Sequence, residues 1–116
     1  MKRFLAIYTG SEAAMASWNS LPERERRERE AAGVKAWHAW ADKNKASILE
    51  IGAPLGRTKS VSKAGIADVR NNMTAFTVVQ AETHAAAARL FENHPHFTAF
   101  PGDAIEVMEC LPIPGM

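Results

Sequence analysis

The chain has almost no cysteine. Cys110 is the single one among 116 residues, which excludes an internal disulfide and a cysteine-rich zinc site. We expect Cys110 to act as a small apolar residue on the last strand. Phosphate-binding loops, dinucleotide-binding glycine patterns, nucleophile elbows and Cys/His catalytic arrangements are missing as well. The sequence therefore predicts no cofactor and no metal ion.

The chain also lacks a dominant charge and a long apolar run. Its formal net charge is +1, which argues against a surface for nucleic acid or anionic membranes. No stretch approaches the length of a membrane span, and the apolar run after Met1 is too short for a signal peptide. We therefore expect a cytoplasmic protein that forms a single domain over residues 1–116 and has neither nucleic acid nor membrane as a partner.

Hydrophobic periodicity predicts alternating strands and helices. The predicted strands cover residues 3–9, 48–51, 73–80 and 104–111. The predicted helices cover residues 11–18, 21–45, with a bend or break near Gly33, and 83–93. Ser20 is predicted to cap the long helix and Thr83 the last one, while residues 57–72 are expected to form a loop or an irregular hairpin.

The order of the main elements, βαββαβ, is that of the α+β ferredoxin-like fold, with a four-stranded antiparallel sheet. Both helices of this fold cover one face of the sheet, so the other face should alternate toward polar residues if water reaches it. Yet the first and third strands carry apolar residues on both faces. On the face away from the helices, the first strand has Leu5 and Ile7, and the third has Phe76 and Val78. We therefore predict a homodimer in which a second copy covers this face, sheet against sheet.

Two histidines are candidates for acid/base chemistry. His38 borders the apolar stripe of the long helix, where it is either a packed residue or a general acid/base. His94 precedes Pro95, which should end the last helix there. It is either a helix C-terminal residue favoured by the helix dipole or a second catalytic group. His96 is expected to be an exposed loop residue.

Aromatic residues are the candidates for ligand binding. Trp37 and Trp40 lie three positions apart on one helix face and form either core packing or the wall of an apolar ligand pocket. Tyr8, on the first strand, would join that pocket if its hydroxyl faces inward.

Four segments carry a family resemblance. They are KAWHAWA at 35–41, GAPLG at 52–56, HPHF at 94–97 and IEVME at 105–109. In this order they resemble the YCII-related family, whose members are small, ferredoxin-like and dimeric, within the dimeric α/β barrel class. Some members are proposed enzymes with a His–Asp pair in a cleft. The first position of that pair matches His38, and the second falls on His94, where this chain has no aspartate. The resemblance therefore implies a His/His pocket.

Two functional classes follow from these features. The first is a small-molecule enzyme that uses His38 and His94 as acid/base groups. The second is a non-catalytic binding or regulatory module with a pocket for a small ligand. A pocket histidine suits both, so the distance and burial of the two imidazoles are expected to discriminate between them.

Overall fold

A computed structural model describes residues 1–116 as six strands and four helices. The strands are β1 (Lys2–Thr9), β2 (Ile48–Glu50), β3 (Thr58–Ser62), β4 (Gly65–Val69), β5 (Met73–Ala81) and β6 (Ala104–Glu109). The helices are α1 (Glu12–Asn19), α2 (Glu23–Lys43), α3 (His84–Arg89) and α4 (Pro95–Thr98). Strands β2, β5, β1 and β6 form an antiparallel sheet in that order. The predicted ferredoxin-like fold class is confirmed.

The alternation of the central strands decides which side chains the helices cover. Phe4, Ala6 and Tyr8 of β1 are fully buried, and they face Val79, Thr77 and Ala75 of β5 in register. Successive residues of a strand point to opposite faces. Intervening apolar residues therefore form the opposite, open face of the sheet: Leu5, Ile7, Phe76, Val78 and Met108. The buried helix residues Trp40 and Ala87 pack with Phe4 and Tyr8, and none of the open-face residues belongs to that core.

Helix α2 runs without a break through Gly33. This glycine is buried, and a Cβ there would come within 2.6 Å of the Phe100 ring, so the glycine permits close packing rather than a bend. The predicted cap was wrong: Ser20 is the C-cap of α1, and Pro22 precedes α2 without a side-chain cap. Pro22 supplies a fixed φ suited to a helix start, and its missing N–H is one that the first turn would leave unpaired.

Helix α3 is shorter than the 83–93 prediction. Thr83 caps its N-terminus as predicted, since its side chain accepts a hydrogen bond from the Ala86 amide. Beyond Arg89 the chain continues in tight turns to Asn93, which adopts a positive φ of 55°. His94 is then extended, as the residue before a proline prefers. His94 therefore starts α4 instead of ending the preceding helix.

Residues 58–69 form a regular hairpin. Strands β3 and β4 pair with each other and belong to a separate two-stranded sheet. Val61 and Ile66 lie opposite each other on it and are both more than two thirds exposed. The alternation in this segment is too weak to predict such regular pairing from the sequence.

Candidate functional site

A large cavity lies between α1, the middle of α2, the segments that follow β1 and β2, the start of β5, and the segment from α4 to Gly102. It encloses about 770 Å³, and both apolar and polar residues line it. We call it the helix–sheet cavity. Its lining combines aromatic rings, two histidines and three glycines, Gly10, Gly52 and Gly102. Such a cavity is large enough for a small organic molecule.

Trp37 forms an aromatic part of the cavity wall. Its indole stacks on the Tyr8 ring, with centroids 5.2 Å apart, and meets the edge of the His94 ring at 4.5 Å. These contacts hold the indole in one orientation without burying it fully. Phe100 packs against it at 6.0 Å and also lines the cavity. The wall thus presents rigid aromatic surface to a ligand.

His38 lies next to Trp37 on α2, lines the cavity and is exposed. The imidazole hydrogen bonds of the chain belong to the other histidines, His84, His94 and His96. His38 is therefore free to bond a ligand or water. Its side chain is accessible, as an acid/base group must be.

His94 is fully buried and lies outside the cavity lining. Its Nδ1 accepts a hydrogen bond of 2.9 Å from the His96 amide, which makes His94 the N-cap of α4. The alternative of a charged residue at a helix C-terminus is therefore wrong. Burial, and then the neighbouring His96, lowers the pKa of His94 to about 4, so the ring is neutral at pH 7. The pocket that would join His38 to His94 is not formed, because packing seals His94.

A continuous row of hydrogen bonds leads from His94 to the end of β2. Because Nδ1 of His94 is an acceptor, Nε2 carries the proton and faces the Tyr8 hydroxyl at 3.5 Å. Tyr8 donates to Thr77 Oγ1 at 2.9 Å, and Thr77 donates to the Ile51 carbonyl at 2.8 Å. The Tyr8 hydroxyl is therefore hydrogen-bonded within the protein, and Tyr8 does not line the cavity. Burial also raises the pKa of Tyr8 to about 12.

Trp40 belongs to the core. It is 9% exposed, and its Nε1 donates to the Leu90 carbonyl at 2.7 Å. Its ring contacts the His94 ring at 4.4 Å. Of the five predicted site residues, the structure thus places His38 and Trp37 on the cavity wall and leaves Tyr8, Trp40 and His94 behind it. Their functional roles stay predictions.

His96 corrects the expectation of an exposed loop residue. It is 7% exposed and lines the cavity. Its Nε2 donates to the Thr9 carbonyl, 2.7 Å away. Burial lowers the pKa of His96, partly opposed by this bond, by Asp103 and by the backbone of Ala104, so the neutral ring is favoured. Sequence spacing does not reveal this residue, because its position depends on the single turn of α4, which folds back onto β1.

Gly102 is the sequence signal that accompanies His96. A Cβ at position 102 would overlap the His96 imidazole and its carbonyl oxygen. Only glycine therefore fits beside the ring. In the sequence, Pro101-Gly102 indicates only a turn.

Metal binding finds no structural support in this region. No group of three or more His, Cys, Asp or Glu side chains is placed to hold a metal ion. His94 and His96 use their nitrogens for different partners, and those of His94 are both engaged.

None of the helices is both long and apolar enough to cross a membrane.

Comparison with known solved structures gives a likeness of fold. No protein-family model and no curated protein matches the chain. Among solved structures, it is similar to 5-chloro-2-hydroxyhydroquinone dehydrochlorinase from Burkholderia phenoliruptrix AC1100, in complex with 2,5-dihydroxybenzoquinone. The TM-score is 0.51 at 21% sequence identity, over 90% of this chain and 89% of that one. The two chains share a fold.

At this level of identity the likeness extends to the fold and not to the chemistry. It spans nearly the whole of both chains.

Proposed function

We propose that this chain is a small-molecule enzyme that binds a flat, mainly apolar compound in the helix–sheet cavity. The observation that carries the proposal is the juxtaposition of Trp37 and His38 on the wall of a cavity of about 770 Å³. Trp37 offers a flat surface for stacking. The neighbouring His38 acts as the acid/base group on the bound molecule, since its imidazole is accessible and makes no bond to the protein.

The structural neighbour supports the same class of substrate. That protein is a dehydrochlorinase, and its structure contains 2,5-dihydroxybenzoquinone, a flat six-membered ring. We extend to this chain the class of ligand, a planar cyclic molecule, and not the reaction. Membership of the YCII-related family is part of the proposal, as is homodimerisation through the open face of the sheet.

A non-catalytic binding module is the second candidate. Two observations favour it: His94, the predicted catalytic partner of His38, is buried outside the cavity, and no protein group fixes the His38 tautomer. Asp42, one turn further along α2, is exposed and makes no ion pair or hydrogen bond with it. Acid/base catalysis usually needs a second group that orients the base.

A ligand screen followed by a turnover assay tests both candidates. Thermal-shift measurements with planar phenols and quinones should raise the unfolding midpoint of wild type, and replacement of Trp37 by Leu should remove most of that shift. His38→Gln should keep the binding and lose turnover of the compounds that wild type converts. Lys43→Gln, at the far end of α2, is the matched control and should change neither.

The outcomes separate the candidates. Binding without conversion of any bound compound by wild type would favour the module. An equal thermal shift in wild type and Trp37→Leu would contradict the placement of the ligand in this cavity.

A further inference from the structure

His96 has one ring nitrogen bonded and the other free. Nε2 donates to the Thr9 carbonyl, which can only accept. In the neutral ring, Nδ1 therefore carries a lone pair. None of the chain's hydrogen bonds reaches Nδ1. Since no buried side-chain nitrogen or oxygen lacks a partner, Nδ1 is not sealed. The free lone pair belongs to a residue that lines the cavity.

The orientation of this lone pair is fixed by three contacts. The His96 amide donates to His94 Nδ1 at 2.9 Å, and the His96 carbonyl accepts from Gly102 at 2.9 Å. The bond to Thr9 then sets the ring angle. A hydrogen-bonding group held this way loses little conformational entropy when a ligand binds.

We propose that His96 Nδ1 is the specificity-determining acceptor of the cavity, and that the bound molecule presents a neutral hydroxyl group to it. The inference rests on the proposed function and names its substrate class: planar aromatic alcohols. A phenolic hydroxyl is protonated at pH 7 because its pKa lies near 10. An ether, which has no hydrogen to donate, leaves Nδ1 unpaired. A carboxylate would meet the lone pair with its own negative charge.

His38 and His96 divide the work in this arrangement. Both line the cavity, but only His96 has its tautomer fixed by the protein. His96 recognises the hydroxyl group, and the exposed His38 remains available for proton transfer. This division explains why burial of His96 is compatible with a binding role, since recognition as an acceptor requires the neutral ring.

A pair of fluorescent probes tests the inference. 2-Naphthol and 2-methoxynaphthalene share the same rings and differ in that the ether carries a methyl group in place of the hydroxyl hydrogen. Fluorescence titration of wild type should give about tenfold tighter binding of 2-naphthol, the size of one good net hydrogen bond. His96→Gln keeps a donor near the Nε2 position for the Thr9 carbonyl and removes the Nδ1 acceptor. This variant should bind both probes alike, with an affinity near that of wild type for the ether. Lys43→Gln, outside the cavity lining on α2, is the control and should retain the preference for 2-naphthol.

Each result supports or contradicts the inference. Equal affinities for the two probes in wild type, or an undiminished preference in His96→Gln, would overturn the role of His96 and leave the proposed cavity intact. If wild type bound neither probe, the proposed function would fail and this inference with it. A His96→Asn variant provides a second test in case His96→Gln does not fold. Its amide lies near the Nδ1 position, and recovery of part of the hydroxyl preference would support the acceptor role.

Discussion

His94 and His96 are two positions apart, yet their lone pairs lie in different environments. Nδ1 of His94 is occupied by the His96 amide, whereas Nδ1 of His96 is free. The difference arises from the short helix α4, which takes His94 as its cap and turns His96 toward β1. At the scale of the residue, the backbone hydrogen bonds thus decide which histidine meets a ligand.

The buried, neutral state of His94 makes stability depend on pH. Its pKa is about 4 when folded and 6.5 as an unperturbed group, so the unfolded chain binds more protons between these values. The contribution is fully present above pH 6.5 and is lost as the pH falls toward 4. We expect a loss of up to about 3 kcal/mol in the free energy of unfolding across this window, measured by urea denaturation at several pH values.

His94→Asn is the matched variant for this prediction. Asparagine is a good N-cap and can accept the His96 amide hydrogen, but it does not titrate. The pH slope should be shallower in the variant, with the remainder due to His96, whose pKa is lowered as well. An unchanged slope would show that His94 is not the titrating group.

Some site residues could be predicted from the sequence and others could not. His38 and Trp37 share a helix of 21 residues, so helical spacing alone places them next to the apolar stripe. His96 was missed because its burial depends on a turn of four residues packed onto a distant strand. For Tyr8 and Trp40 the sequence leaves ligand binding and core packing open, because it does not show that their polar atoms have partners within the protein.

At the scale of the element, prediction succeeded where one periodicity extends over many residues. The strand at 73–80 and the long helix lie within one or two residues of β5 and α2. It failed at ends that depend on backbone geometry. The apolar spacing of α3 continues through Leu90 and Phe91, although the helix ends at Arg89. Turn conformation, and not the apolar pattern, ends it.

Helix capping offers a direct test of the element boundaries. Thr83→Ala removes the acceptor for the Ala86 amide and should lower the free energy of unfolding by about 1 kcal/mol. Ser20→Ala should have a much smaller effect, because Ser20 donates to the Ser17 carbonyl on an exposed surface and caps no helix N-terminus. Denaturant titrations of both variants against wild type provide the comparison. A larger loss of unfolding free energy in Ser20→Ala than in Thr83→Ala would contradict the assignment of Thr83 as the helix cap.

The whole molecule exposes more surface than a compact monomer of its size. Its accessible surface is 8391 Å² for 12.7 kDa, against about 6200 Å² expected for a globular monomer. Its radius of gyration is 16.2 Å, where about 13 Å is typical of this chain length. Exposed apolar side chains contribute to this surface: Val61, Ile66 and Val69 on the hairpin and Met108 on the open face. A second copy on the open face would bury part of it.

The dimer proposal is tested by a charge on the open face. Ile7 lies on the central strand β1, opposite Phe76, and is half-buried. Ile7→Lys should convert a dimeric wild type into a monomer in analytical ultracentrifugation at micromolar concentration, because an unpaired charge would be buried in the interface. Ala39→Lys, exposed on α2, should leave the dimer intact. A monomeric wild type would refute the proposal, and circular dichroism verifies that the Ile7 variant remains folded.

The row of hydrogen bonds through His94, Tyr8 and Thr77 begins at a backbone amide and ends at a backbone carbonyl. Neither terminal group gains or loses a proton near neutral pH, so the row cannot conduct protons between the cavity and the solvent. The inner side of the site therefore has no proton path through this row. A proton that a bound molecule releases or takes up would then be exchanged on the outer side of the site, where the exposed imidazole of His38 lines the cavity together with the carboxylates of Glu12 and Glu30.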